Sequence, residues 1–171
     1  MSRDEHAGGR QHPGAVMSHA HAARRRRLII LGACAVVVIA GVLQVLAARG
    51  DLWFDEIWSL RLAEKVDSAV EIVTILIRDN NHILNTLWMY TVGDPSWLMI
   101  YRLPAVSAGV GAVVLSGLIA RRWGTTAAVL GLVLTGLSYP LVHYSSEARG
   151  YAPAVFFGFA ALLSLDRFLM R

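Results

Sequence analysis

Two clusters in this 171-residue chain hold the residue types that do chemistry. The first is Asp51-Leu52-Trp53-Phe54-Asp55-Glu56, and the second is Tyr144-Ser145-Ser146-Glu147-Ala148-Arg149-Gly150-Tyr151. Asp55 and Glu56 are adjacent acids beside Trp53, Phe54 and Trp58. An apolar surround favours a carboxylate that takes up a proton readily, which suits a general base. Adjacent acids also suit a hard cation such as Mg²⁺ or Mn²⁺, and a solvated loop that caps a helix uses the same residues. Arg149 has the planar donor set for a bidentate phosphate contact, or for a loop carboxylate such as Glu147. Arg102, just before Pro104, reads as a phosphate ligand or as a topological anchor. His82 suits a phosphate contact, a proton acceptor, or a boundary histidine bonded to backbone. His143 reads as a helix-end residue, and Tyr144 and Tyr151 as boundary aromatics.

The elements that must position these residues are membrane helices. The chain is 56% apolar and only 16% charged, too little charge for a soluble domain of this length. Residues 28–48 form an apolar run in which Gln44 is the one strongly polar side chain. At about 1.5 Å per residue it covers a hydrocarbon core of roughly 30 Å, and it exceeds the apolar region of a cleaved leader. Residues 103–120, 125–143 and 151–169 are further candidate spans. Ala105, Ala108, Gly109, Ala112 and Ser116 form a stripe of small residues in the second span, the kind that admits a neighbouring helix closely. Between the first two spans, residues 57–77 have apolar positions at near-helical spacing, which predicts an amphipathic helix in the membrane interface. Residues 83–92 are apolar but too short to span, and Gly93-Asp94-Pro95-Ser96 predicts a turn. The expected fold is an all-α integral membrane protein with about four transmembrane helices and an extracytoplasmic loop of amphipathic interfacial helices.

Charge sets the orientation. With the amino terminus in the cytoplasm and the spans alternating, ten of the sixteen basic residues fall inside, among them Arg24 to Arg27, Arg121, Arg122 and Arg167. Nine of the twelve acids then fall outside. A basic cluster marks every inside end, as topology requires. The net charge of +4 therefore reports orientation and contact with anionic lipid, and nucleic acid is not an expected partner. Residues 1–27 are expected to be a disordered basic cytoplasmic tail, whose scattered histidines lack metal-ligand spacing. The single cysteine, Cys34, excludes an intrachain disulfide. No Walker loop, His-Glu-x-x-His, Cys-x-x-Cys or Gly-x-Ser-x-Gly occurs. A transporter would need polar groups inside the spans, whereas the polar clusters here fall at the outer ends.

The order of the clusters resembles the amino-terminal part of the GT-C membrane glycosyltransferases. The nearest branch is the family-39 type, which includes protein O-mannosyltransferases and aminoarabinose transferases of lipid A. Four segments carry the resemblance over residues 28–171. They are Phe54-Asp55-Glu56 with Ser59, Asn80-Asn81-His82-Ile83-Leu84-Asn85-Thr86-Leu87, Tyr101-Arg102-Leu103-Pro104-Ala105, and Tyr144 through Ala152. Some relatives have Lys-Pro-Pro or His-Pro-Pro where this chain has His82-Ile83-Leu84. The resemblance implies transfer of a sugar from a polyprenyl-phosphate carrier to an acceptor on the outer face of the cell membrane. Asp55 would be the base, and Glu56 would assist it or help hold a divalent cation, Mg²⁺ or Mn²⁺. Arg149, with Arg102 and His82, would hold the carrier phosphate and stabilise the leaving charge, and Glu147 and Tyr151 complete the substrate-binding set. Such enzymes have more spans than this chain, so a carboxy-terminal part or a partner subunit is expected to complete the cavity. The competing expectation is a non-enzymatic four-helix membrane subunit or scaffold.

Overall fold

The computed structural model describes residues 13–76 and 82–170. Among them every regular element is helical: α1 (Pro13–Ala47), α2 (Phe54–Ala63), α3 (Ala69–Thr74), α4 (Ile83–Val92), α5 (Met99–Ala120), a 3₁₀ turn (Arg121–Trp123), α6 (Thr125–Gly136), α7 (Tyr139–Ser145) and α8 (Tyr151–Leu169). Three helical stretches are long and apolar enough to cross a membrane: Ala23–Ala47, Met99–Trp123 and Tyr151–Leu169. At about 1.5 Å per residue the two 25-residue stretches exceed the hydrocarbon thickness, and the 19-residue one is close to it. The pair α6–α7 is a fourth candidate, bent by 57°. Large apolar side chains face outward along these helices, with Val38 62%, Leu134 70% and Phe168 75% exposed. Such surfaces are stable only with lipid or protein against them. The chain is an all-α, multi-pass membrane protein.

The chain divides into two compact units, residues 1–34 and 35–171. In the first, α1 begins at Pro13, within the segment expected to be a tail. Pro is suited to a first helical turn, and the Ala- and Arg-rich sequence extends a formed helix at little cost. His6 and His12 lie outside the described residues.

In the second unit α5 is the central helix. Gly41 of α1 faces Val110, and Gly136 of α6 faces Ala40 and Val113. The Ser116 hydroxyl donates to the Gly131 carbonyl at 3.0 Å, joining α5 to α6. Arg122 pairs with Asp166, so the carboxy-terminal ends of α5 and α8 lie together. The stripe of small residues does what its composition predicts: Ala105, Gly109 and Ala112 are buried on α5. Gly109 is the tightest point. A β-carbon there would come within 2.0 Å of Ser145 Oγ and 2.6 Å of Gln44 Oε1.

Three local breaks follow from single residues. Pro104 has no N–H for the Ile100 carbonyl, and Trp88 Nε1 donates to that carbonyl instead, at 2.8 Å. Pro140, at the start of α7, cannot continue the α6 hydrogen-bond ladder, which gives the 57° bend in the span expected to run straight over 125–143. The interfacial helix expected over 57–77 is two helices, because Glu71 accepts hydrogen bonds from the Asp67 amide and the Ser68 hydroxyl and restarts the chain as α3. Ile77 of that expected helix lies outside the described residues. Between these helices and α5, Ala63, Met89, Tyr101 and Ala148 form a small buried core.

Gly109→Ala is expected to destabilise the protein by about 1–3 kcal/mol, the usual cost of overpacking. Gly158→Ala, where an added β-carbon meets nothing within 4 Å, is expected to leave the midpoint unchanged. Thermal unfolding of the two variants in detergent, followed side by side, checks the contrast.

Candidate functional site

The two clusters meet at one end of the bundle, where the end of α1, α2, the start of α4, the start of α5 and the 145–150 turn converge. Glu56 and Arg102 are the joint. Arg102 Nε donates to Glu56 Oε1 at 2.9 Å and Nη2 donates to Oε2 at 2.6 Å. The Arg102 side chain is 2% exposed and that of Glu56 0%. The remaining donors go to backbone: Nη1 to the carbonyls of Ala48 at 2.6 Å and Gly50 at 3.3 Å, and Nη2 to that of Asp51 at 2.8 Å. Glu56 in turn accepts the Trp53 amide at 2.7 Å, closing the first turn of α2, and the amide of Ala148. The Ala148 carbonyl accepts from Asn85 of α4.

Asp55 points elsewhere. Consecutive helical residues lie about 100° apart and do not share a face. Asp55 Oδ2 accepts from Arg149 Nη1 at 3.0 Å, with the Asp55 side chain 43% exposed and Arg149 13%. Glu147 Oε2 lies 3.7 Å from the same guanidinium nitrogen, and Glu147 Oε1 is 3.3 Å from His143 Nε2. The Arg149 guanidinium sits over the Tyr151 ring, 4.7 Å from its centroid. His82 packs edge-on to Tyr151 at 5.0 Å. A β-carbon at Gly150 would come within 2.8 Å of His82 Nδ1, so the glycine makes room for the imidazole. Burial holds the His82 pKa below its ordinary value of 6.5, and the Arg149 cation lowers it further against the opposing pull of Asp55.

Every residue expected to do chemistry is therefore in one neighbourhood, divided into two layers. Glu56 and Arg102 are buried and bound to each other. Asp55, Arg149, Tyr151 and His82 form a second, partly exposed layer, backed by the buried Glu147. Arg102 directs its donors into the chain, so it is not offered to a phosphate in this arrangement. The Asp55–Glu56 pair does not fit a divalent cation: the two carboxylates face different arginines, and among the described residues no group of three or more His, Cys, Asp or Glu side chains converges on one point. Asn80 and Asn81 lie outside the described residues. Sequence reasoning gave no individual role to the buried Ser145, Asn85 and Gln44. The one available signal was that Gln44 is a lone amide in an apolar run. Comparison with protein-family models, curated proteins and solved structures finds no match.

Removing one partner of the buried pair strands the other, at a cost of about 3–5 kcal/mol. Arg102→Met and Glu56→Gln are both expected to lower the unfolding midpoint and membrane yield sharply. Double-variant analysis is expected to find the losses non-additive. His82 yields a pH effect with a definite sign. Its depressed pKa means that the unfolded chain takes up the proton first, so stability falls as pH drops below about 6.5 toward the folded value. The fall in midpoint between about pH 7.5 and about pH 5.5 is expected to be smaller in His82→Gln than in the wild type.

Proposed function

We propose that this chain carries the site of a membrane glycosyltransferase of the GT-C kind. It transfers a sugar from a polyprenyl-phosphate carrier to an acceptor at the outer face of the cell membrane, with its amino terminus in the cytoplasm. The observation that carries this reading is the Asp55–Arg149 pair, with the Asp55 side chain 43% exposed and that of Arg149 13%. A carboxylate and a guanidinium held together at the end of a hydrophobic bundle are a base and an anion ligand within reach of one substrate. The resemblance of the surrounding segments to the family-39 type supports the same reading. The orientation rests on charge: Arg121, Arg122 and Arg167 lie at the end of the bundle away from this site, as cytoplasmic ends require.

In this reading the carrier phosphate enters beside Arg149 and takes over its Nη1 donor, which frees the Asp55 carboxylate. Asp55 removes the proton from the acceptor's nucleophilic atom as that atom bonds to the anomeric carbon. The bond from the anomeric carbon to the phosphate oxygen breaks, and the polyprenyl phosphate leaves with the electron pair. Arg149 stabilises the charge that develops on it. Tyr151 beneath the guanidinium and Glu147 beside it hold it in place. Glu56 and Arg102 are positioning residues: they fix α2 against the 145–150 turn and thereby fix Asp55 against Arg149.

Asp55→Asn in native membranes is expected to reduce transfer from radiolabelled polyprenyl-phosphate sugars by at least about 100-fold, the low end for loss of a general base, with protein level and unfolding midpoint unchanged. Full transfer by Asp55→Asn removes Asp55 from the reaction. Absence of transfer by the wild type across the donor panel supports the non-enzymatic subunit instead.

A further inference from the structure

At the end of the bundle away from Arg149, two spans stop together and their charges gather. The stretch Met99–Trp123 ends in Arg121-Arg122-Trp123, and Tyr151–Leu169 ends in Asp166-Arg167-Phe168-Leu169. The Arg122–Asp166 pair joins the two ends. The Arg122 guanidinium also lies over the Trp123 ring, 4.6 Å from its centroid. Asp166 thus neutralises Arg122. Arg121 and Arg167 are the sequence neighbours of this pair, and both are exposed. Among the described residues neither has an ion-pair partner. Three arginines and one aspartate leave this end with a net charge of +2. The first turn of α6 opens at the same place and holds no acidic residue, so its dipole adds to the positive potential.

Place and surroundings together select the ligand. These residues stand where two apolar helices stop, the level at which hydrocarbon gives way to headgroups. The surface beside the arginines is apolar: Trp123, Phe168, Leu169 and Met170 are between 67% and 75% exposed. A soluble anion would match the guanidinium charge and leave this rim uncovered. A hydrocarbon chain would cover the rim and leave the charge unmatched. An amphiphile with an anionic head does both. Net charge narrows the choice further. Phosphatidylcholine brings its own cation with its phosphate, whereas phosphatidylglycerol brings the phosphodiester alone, and a guanidinium donates to two of its oxygens at once. We infer that Arg121 and Arg167, on either side of the Arg122–Asp166 pair, form a headgroup site for an anionic phospholipid whose acyl chains lie along α5 and α8. The site is a located contact, distinct from the general attraction that the Arg24 to Arg27 run implies, and it does not depend on the reaction proposed at the other end.

The test places the full chain in nanodiscs of equal amounts of phosphatidylglycerol and phosphatidylcholine and counts the lipids it retains on release by native mass spectrometry. The wild type is expected to retain phosphatidylglycerol preferentially. Each arginine near a membrane surface accounts for about fivefold, so Arg121→Gln and Arg167→Gln are each expected to lower the ratio of the two retained lipids by about that factor. Asp166→Asn, which releases Arg122 from its partner, is expected to raise the ratio, a direction that misfolding does not produce. Arg61→Gln, on α2 and 70% exposed, is expected to leave it unchanged. Equal retention of the two lipids by the wild type overturns the site. So does a wild-type ratio in the Arg121→Gln/Arg167→Gln double variant, which would give the preference to the Arg24 to Arg27 run. A fall in the ratio with Asp166→Asn would report damage to this end in place of a change in charge, and it overturns the site as well.

Discussion

The buried Glu56–Arg102 pair is the constraint on which the rest of this end of the molecule depends. An arginine whose side chain is 2% exposed in the first turn of a membrane helix is stable only if its charge and its donors are satisfied by the chain. Glu56 supplies the charge. The carbonyls of Ala48, Gly50 and Asp51 supply the remaining acceptors, and they do so where α1 ends and its last carbonyls have no intrahelical donor. One side chain therefore caps a helix, closes a loop and neutralises a carboxylate. Glu56 reciprocates by accepting the amides of Trp53 and Ala148, which lie on segments far apart in sequence. A segment that shifts breaks a hydrogen bond in a place water does not reach, so the arrangement is held to one geometry.

The same pair explains why two adjacent acids have different fates. Glu56 faces inward because the third residue of a helix can reach back to the amide that precedes it. Its neighbour, one residue earlier in the helical turn, necessarily faces another way. Asp55 is thereby delivered to the rim with its backbone fixed by the residue behind it, and Ser59 Oγ bonds to the Asp55 carbonyl at 3.0 Å, adding a second restraint from the same helix. The precision of the partly exposed layer derives from the closed layer beneath it. This is the usual relation between groups that can react and the shell that positions them.

Much of this was legible in the sequence. Length and apolarity mark the spans, and α4 and α8 run over the residues that hydropathy and turn signals delimit. The small-residue stripe on α5 correctly foretells close packing. The convergence of 51–56 with 144–151 follows from alternating spans alone. Partnership was not legible. Glu56 and Arg102 are 46 positions apart, and each carries the residue type of a functional group, so type and spacing cannot distinguish a ligand from a mutually satisfied pair. The interruption between α2 and α3 was hidden because the apolar periodicity continues across Asp67-Ser68. The bend at Pro140 was hidden because hydropathy is blind to a missing N–H.

Burial decides which of the two ion pairs can exchange partners. At Arg102 an incoming phosphate would have to displace a carboxylate that is 0% exposed, leaving it charged in a medium that cannot solvate it. At Arg149 the displaced carboxylate is that of Asp55, 43% exposed, and water replaces the lost contact at little cost. Glu147, close by on the same turn, also faces the Arg149 guanidinium, at 3.7 Å. The two arginines at this end of the bundle thus differ for a reason that lies in solvation: Arg102 is paired with a carboxylate that water does not reach, and Arg149 with one that it does.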